Sequence, residues 1–212
     1  MKTIRSDYLT NSEIREKAEE FREEYIGNYE IPVNILLIAE KQLDLKIVLE
    51  EGLGRRFDID AYIAPNCEEL WVDTTRYTKR TWEERLRFTF AHEIGHWYMH
   101  SQILEEIEWD TKEDWIETRC DQKNHNNISS FEIQSDEFAG RLLVPKQKLV
   151  EKIEEKQDKI DEFYDNASRP WIGFDDLKGY LASDICDDFK VTEKVVEKRI
   201  EKEDDIEDML RQ

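Results

Sequence analysis

One stretch of 14 residues, Arg87–His100 (RFTFAHEIGHWYMH), constrains the fold of the chain more than any other feature. Apolar residues recur through it at helical spacing, which predicts a long amphipathic helix that begins after the N-cap candidate Thr81. Residues four positions apart lie on one helix face, about 6 Å apart along the axis. We therefore expect the side chains of His92 and His96 to point toward one position, with Glu93 beside them.

These three residues form an HExxH pattern. In such a pattern two neutral imidazoles bind Zn²⁺, and the intervening glutamate takes a proton from a water molecule at the metal. We interpret His92 and His96 as zinc ligands and Glu93 as the general base. His100 lies about 12 Å from His92 along the axis, too far for both to reach one ion with bonds of about 2 Å. We expect His100 to pack or hydrogen-bond near the helix end.

A third ligand is needed, because catalytic zinc has three protein ligands and one open position. The segment SFEIQSDEF predicts a second helix in which Glu132 and Asp136 lie four residues apart on one face. We predict that Glu132 binds the metal and that Asp136 hydrogen-bonds the far nitrogen of a histidine ligand. In the alternative interpretation, these residues and Glu137 form only a solvated acidic face.

The rest of the chain predicts an α+β fold with a small sheet. Two helices are expected at 10–27 and 32–43, and three short strand-like runs follow in LKIVLEE, DIDAYIA and ELWVDTT. Their short connections favour an antiparallel meander. Residues 102–127 lack convincing periodicity and predict a long functional or flexible loop, whereas 146–159 predict a charged helix.

The C-terminal part predicts two helices around a tight turn, with Thr192 as the cap of the second. This shape permits a helix-turn-helix, but the segment is acidic, which favours a helical hairpin that packs on the body. A turn-rich stretch, 165–174, is the candidate boundary. We divide the chain into a domain of residues 1–160 and a helical extension of residues 161–212.

Composition excludes several classes of function. The chain has 51 acidic and 31 basic residues, a formal charge of −20, which repels a phosphate backbone and makes direct nucleic-acid binding unfavourable. The first 20 residues lack a signal-peptide pattern, and no stretch approaches the roughly 20 apolar residues of a membrane span. We therefore expect a soluble cytoplasmic protein. Its three cysteines show no CxxC pairing, which indicates free thiols.

Three further residues have chemistry that fits such a site. His125 and Tyr62 are candidate donors to the oxyanion that develops during peptide hydrolysis. A thiolate at Cys120 is a candidate inhibitory ligand in the open metal position. The strand-like run ELWVDTT is expected to be the sheet edge against which an extended substrate lies.

Taken together, RFTFAHEIGHWYMH, the later EIQSDEFAGRLLVP and the upstream IPVNILLIAEKQLDLKI resemble the ImmA/IrrE zinc metallopeptidases. The resemblance covers about residues 32–145. It implies a gluzincin-like core of a small sheet and zincin-type active-site helices, with one zinc on His92, His96 and Glu132 and with Glu93 as base. Two features depart from the family pattern: Ser135 stands where alanine is more common, and the loop 102–127 is longer than usual.

Members of that family often cut a partner repressor of the helix-turn-helix type, in stress responses among other settings. The resemblance therefore implies a zinc metalloendopeptidase that cleaves a transcriptional repressor, and the negative charge suits a basic partner. Two alternatives stay open. One is a zinc-binding regulatory module without hydrolysis, which Glu93→Gln would distinguish. The other is a DNA-binding regulator that uses the C-terminal hairpin. The sequence leaves the oligomeric state open.

Overall fold

The structure, a computed structural model, describes residues 8–27, 30–106, 109–124, 130–166 and 173–210. Three strands and twelve helices lie within these ranges. The strands are β1 (Lys46–Glu50), β2 (Ala61–Ile63) and β3 (Glu69–Asp73). The helices are α1 (Asn11–Tyr25), α2 (Ile35–Leu37), α3 (Leu53–Phe57), α4 (Thr74–Thr78), α5 (Glu83–Glu106), α6 (Lys112–Asn124), α7 (Ser130–Leu143), α8 (Lys146–Glu154), α9 (Gln157–Asn166), α10 (Phe174–Phe189), α11 (Glu193–Glu201) and α12 (Asp204–Leu210). A π-helical turn, Ile38–Gln42, extends α2, and a 3₁₀ turn, Arg80–Trp82, precedes α5.

The sheet is mixed, with strand order β1-β3-β2. β2 pairs antiparallel with β3, but β1 pairs parallel with β3, so the predicted antiparallel meander is wrong for one of the two pairings. Parallel neighbours need a crossover, and here the connection between β1 and β3 contains α3 and β2. The expectation that ELWVDTT forms an edge is also wrong, because β3 lies in the centre. The predicted α+β class with a helical C-terminal part is confirmed.

The helices α5 and α7 form the centre of the helical layer. The predicted apolar face of α5 is buried through Phe90, Ala91 and Ile94, because water-exposed apolar surface at these positions would be unfavourable. Phe138 of α7 packs against Tyr98 of α5, with ring centroids 5.8 Å apart. This packing holds the two motif-bearing helices side by side.

The prediction that residues 102–127 form a loop is wrong for most of the described residues in this range, because they are helical. Its first residues continue α5 to Glu106, and α6 follows. The inner face of α6 buries Trp115, Ile116 and Arg119, each 1% exposed. Helical periodicity is weak in the sequence because this buried face includes a charged residue instead of a regular apolar repeat.

The C-terminal helices pack on the body of the molecule. Lys190 adopts the left-handed conformation (φ 54°) between α10 and α11, and Thr192 is the N-cap of α11, as predicted. The Arg199 Nε–H of α11 donates to the Val144 carbonyl oxygen at 3.2 Å, just after α7. The predicted helix 146–159 is divided into α8 and α9. Residue 160 lies inside α9, and the division into two domains stays a prediction. Among the described helices, none has the length and apolarity to cross a membrane.

Gly95 offers a test of how closely α5 approaches α7. A β-carbon there would lie 3.1 Å from Phe138 Cδ1 and 3.3 Å from Ser135 Cα, tighter than ordinary contact. We expect Gly95→Ala to lower the free energy of unfolding by about 1 kcal/mol, because overpacking outweighs the gain in helix propensity.

The matched control is Gly179→Ala in α10, where the added carbon meets its nearest neighbour at 3.5 Å. This variant should raise the free energy of unfolding by about 0.5–1 kcal/mol. The change in the free energy of unfolding of each variant is measured by urea denaturation. Equal stabilisation by the two substitutions would show that α5 and α7 are not in tight contact.

Candidate metal centre

Three potential ligands from α5 and α7 meet in the interior. His92 Nε2 lies 3.0 Å from His96 Nε2 and 3.1 Å from Glu132 Oε2, and His96 Nε2 lies 3.5 Å from Glu132 Oε1. The three residues are at most 5% exposed. Their ligand atoms all lie within 4.8 Å of one another. The structure thus brings together the three residues that the sequence predicted as ligands.

The spacing of these atoms fits a small divalent ion. Tetrahedral zinc with bonds of about 2.0–2.1 Å separates its ligand atoms by about 3.3–3.4 Å. The distance between the two Nε2 atoms is 3.0 Å, and each Nε2 lies 3.1 or 3.5 Å from one of the two Glu132 oxygens, values around that separation. Two imidazole nitrogens and one carboxylate are also a donor set that zinc accepts. This buried group could therefore hold a metal ion.

A carboxylate on α7 orients the ring of His92. The Nδ1 of His92 lies 2.8 Å from Asp136 Oδ1, and because an ionised carboxylate only accepts, Nδ1–H is the donor. Asp136 follows Glu132 by one helical turn, so a single helix face supplies both groups. This contact directs His92 Nε2 toward His96 and Glu132, the arrangement common among histidine ligands of metals.

His96 is held by side chains on its opposite nitrogen. Its Nδ1 lies 2.9 Å from Ser135 Oγ and 3.2 Å from His100 Nδ1. His100 is buried, as expected for a residue that packs, and its Nε2 lies 2.9 Å from the Gln134 amide oxygen. Ser135, a departure from the family pattern, thus contacts a candidate ligand directly.

Arg119 of α6 enters the centre and was missed by the sequence analysis. Its Nη1–H donates to His96 Nε2 at 2.9 Å, and Nη1 lies 2.9 Å from Glu132 Oε1 as an ion pair. Its Nη2 contacts both oxygens of Glu93, at 2.9 and 3.1 Å. The only sequence signal is the spacing of Trp115 and Arg119, one helical turn apart in an acidic segment.

Glu93 is fully buried between α6 and the sheet. Besides the Arg119 contacts, its Oε2 accepts a hydrogen bond from the Ile63 backbone N–H at 2.9 Å. Ile63 belongs to β2, an edge strand of the sheet. The carboxylate is thus fixed by a backbone donor of the sheet edge, beside the three potential ligands.

The pKa values of the histidines diverge in this environment. Burial by itself lowers the pKa of His92, but hydrogen bonds to Asp136 and Glu132 outweigh it and raise the pKa to about 9. Burial and the nearby Arg119 charge hold the pKa of His96 well below its usual value. Burial also lowers the pKa of His100 to about 4. His92 is therefore protonated at neutral pH in this arrangement, while His96 and His100 are neutral.

Carboxylates balance these charges. Burial raises the pKa of Glu132, but Arg119 and the two histidines reverse the effect and hold it well below the usual value. Partial desolvation raises the pKa of Asp136, whose side chain is about half exposed, but its hydrogen bond to His92 outweighs this effect and lowers the pKa. Both groups are ionised at neutral pH, which favours cations in the centre.

We predict that the metal-free protein is most stable near pH 6.5. The raised pKa of His92 stabilises the fold below its unfolded pKa of 6.5, and this contribution is lost as pH rises toward 9. The lowered pKa values of His96 and His100 have the opposite effect, because these buried rings must be protonated on unfolding below pH 6.5. Chemical denaturation in the presence of a chelator should show that the free energy of unfolding falls by on the order of 1–3 kcal/mol both above and below pH 6.5.

Asp136→Asn is the control for the alkaline side of that profile. It removes the negative partner that raises the pKa of His92, so the loss of stability between pH 6.5 and 9 should shrink. A wild-type protein whose stability rises through this range would contradict the charge assignment of His92.

Cys120 and Tyr62, which the sequence also singled out, contact residues outside this group. Cys120 Sγ–H donates to the Phe57 carbonyl oxygen at 3.4 Å. Tyr62 stacks on its cross-strand neighbour Trp71, with centroids 6.2 Å apart, and burial raises its pKa above the usual value. His125 lies outside the described residues. The inhibitory role of Cys120 and the oxyanion roles of Tyr62 and His125 stay predictions.

Two histidines on one helix with a glutamate from the next are the ligand set of thermolysin-type zinc peptidases. The model of the Peptidase_M78 family, described as the IrrE N-terminal-like domain, matches residues 76–201, which include α5, α6 and α7. Because the match covers more than half of the chain, the protein belongs to this family. The resemblance seen in the sequence is thereby confirmed. No curated protein matches the chain. Family membership supports a metallopeptidase-type activity on a protein substrate.

Proposed function

We propose that this protein is a zinc-dependent endopeptidase with one zinc per chain. The observation that carries the proposal is the convergence of His92 Nε2, His96 Nε2 and a Glu132 carboxylate oxygen in a chain of the Peptidase_M78 family. Their ligand atoms lie within 4.8 Å of one another, and Glu93 lies beside them. The proposal assigns the metal to these three residues.

When bound, zinc lowers the pKa of a water molecule and polarises the carbonyl of the scissile bond. In the proposed reaction Glu93 is the general base. It takes the proton of the attacking water and delivers it to the leaving amine. Its hydrogen bond from the Ile63 N–H holds one oxygen in place, which limits reorganisation of the carboxylate during the two transfers.

Asp136 and Ser135 position the ligands. Asp136 keeps a hydrogen on His92 Nδ1, which leaves Nε2 as the nitrogen available to a metal. Ser135 Oγ is the corresponding partner of His96 Nδ1. Both residues lie on α7 with Glu132, so one helix supplies a ligand and both partners.

We propose that an extended polypeptide binds along the outer edge of β2 once the side chains that cover this edge have moved away. The Asp73 N–H donates to the Asp60 carbonyl oxygen, and the Ala64 N–H donates to the Glu69 carbonyl oxygen. Since hydrogen bonding alternates along an antiparallel pair, the intervening Ile63 directs its N–H and C=O away from β3. A substrate strand added at this edge would lie next to Glu93, with few demands on its sequence.

We propose that the substrate is a transcriptional repressor of the helix-turn-helix type. We also propose that the enzyme cleaves it in the cytoplasm. The substrate class comes from the family resemblance. The formal charge of −20 supports it, because such a surface attracts a basic DNA-binding partner and disfavours DNA itself. A repressor encoded beside the gene is the first substrate to test, with and without chelator.

Two substitutions separate metal binding from catalysis. Glu93→Gln should bind one zinc per chain but cleave the repressor about 10²–10⁴ times more slowly, because it removes the base and spares the ligands. Asp136→Asn should weaken zinc binding about 10–100-fold, because His92 loses its partner. Cleavage is followed by electrophoresis and bound zinc by atomic spectroscopy.

Glu83→Gln, an exposed glutamate in the first turn of the same helix, is the matched control and should change neither quantity. If zinc is bound and the protein's regulatory effect survives Glu93→Gln, the protein is a non-hydrolytic zinc-binding module instead.

A further inference from the structure

The candidate active site is closed to solvent. Glu93 and His96 are fully buried, and His92 and Glu132 are 5% and 2% exposed. A peptidase must admit a polypeptide to such a group. The helix that covers it is α6, which supplies the fully buried neighbours Trp115 and Arg119.

Arg119 and a metal ion exclude one another at His96. A neutral imidazole has one nitrogen with a free lone pair, and the guanidinium can only donate. Because Arg119 donates to His96 Nε2, that lone pair is taken, and His96 Nδ1 carries the hydrogen. The same Nη1 is paired with Glu132 Oε1. Two of the three candidate ligands are thus engaged by Arg119.

Arg119 also engages the candidate base. Its Nη2 contacts both oxygens of Glu93, the geometry of a strong charge-assisted pair. Both oxygens of this carboxylate are therefore already engaged by Arg119, so an attacking water molecule would have to compete with the guanidinium to reach them. One side chain therefore blocks both the ligands and the base.

Trp115 covers the substrate edge one helical turn earlier on α6. Its indole N–H donates to the Ile63 carbonyl oxygen at 3.0 Å. This carbonyl faces outward from β2 and is an acceptor that an added substrate strand would use. The start of α6 is tied to the sheet as well, through the Lys112–Glu50 ion pair at 2.6 Å and the Lys112 ammonium 3.6 Å from the Trp71 ring centroid.

We propose that α6 is an autoinhibitory helix. In the closed form Arg119 competes with zinc for His96 and Glu132, and Trp115 blocks the edge of β2. Zinc loading and substrate access both require α6 to move away. The inhibition of cleavage rests on the proposed function, whereas the competition between Arg119 and zinc does not.

The test uses the full-length, metal-free protein and zinc alone. Arg119→Met should take up zinc faster and bind it roughly tenfold or more tightly than the wild type, because it removes a charged competitor of similar bulk. Uptake is measured by competition with a chromophoric chelator. Glu117→Gln, on the exposed face of the same helix, is the matched control and should match the wild type. Weaker or unchanged zinc binding by a folded Arg119→Met protein would overturn the proposal.

A second measurement needs no substitution. Hydrogen exchange of the wild type should become faster in α6 when zinc is added and slower in α7, which carries Glu132. Unchanged or increased protection of α6 in the presence of zinc would also overturn the proposal.

Trp115→Phe tests whether Trp115 blocks the edge of β2. The variant keeps an aromatic side chain but removes the N–H that donates to the Ile63 carbonyl oxygen. Repressor cleavage should rise several-fold while zinc affinity changes little. Failure of every variant to cleave any repressor, combined with tighter zinc binding by Arg119→Met, would reject the proposed function but keep the competition at the metal centre.

Discussion

The close contact between α5 and α7 at Gly95 is the constraint on which the rest of the structure depends. Without a side chain at Gly95, the backbone of Ser135 and the ring of Phe138 approach α5 closely. Burial of the apolar faces of both helices stabilises this contact. At this separation a histidine pair on one helix and a carboxylate on the other lie within hydrogen-bonding distance. If the two helices were farther apart, the histidines of α5 and the glutamate of α7 could not bind the same ion.

The buried charges follow from that contact. Glu93 and Glu132 lie in the interior, where unpaired carboxylates would be strongly unfavourable. In the closed form, protonated His92 and Arg119 supply the balancing positive charge. A divalent cation carries the same total positive charge and needs the same lone pairs. The same group of side chains can therefore bind either a metal ion or the buried guanidinium of Arg119. Arg119 can occupy this position only while α6 is held against the sheet.

Local patterns in the sequence predicted the motif helices well. The helical spacing of His92 and His96, and of Glu132 and Asp136, places each pair on one face of its helix, as the structure has them. Two features were missed for different reasons. Strand patterns do not specify neighbours, so the parallel pairing of β1 with β3 could not be read from short connections. The inner face of α6 includes Arg119, whose partners are 23 to 26 residues away along α5, and no local periodicity reports such contacts.

X-ray absorption at the zinc edge, on protein loaded with one equivalent of zinc, tests the central claim most directly. We expect nitrogen and oxygen ligands at about 2.0–2.1 Å with the scattering of two imidazoles, and loss of that signal in a His96→Ala variant. A spectrum dominated by sulfur at about 2.3 Å, or one unaffected by His96→Ala and Glu132→Gln, would contradict it.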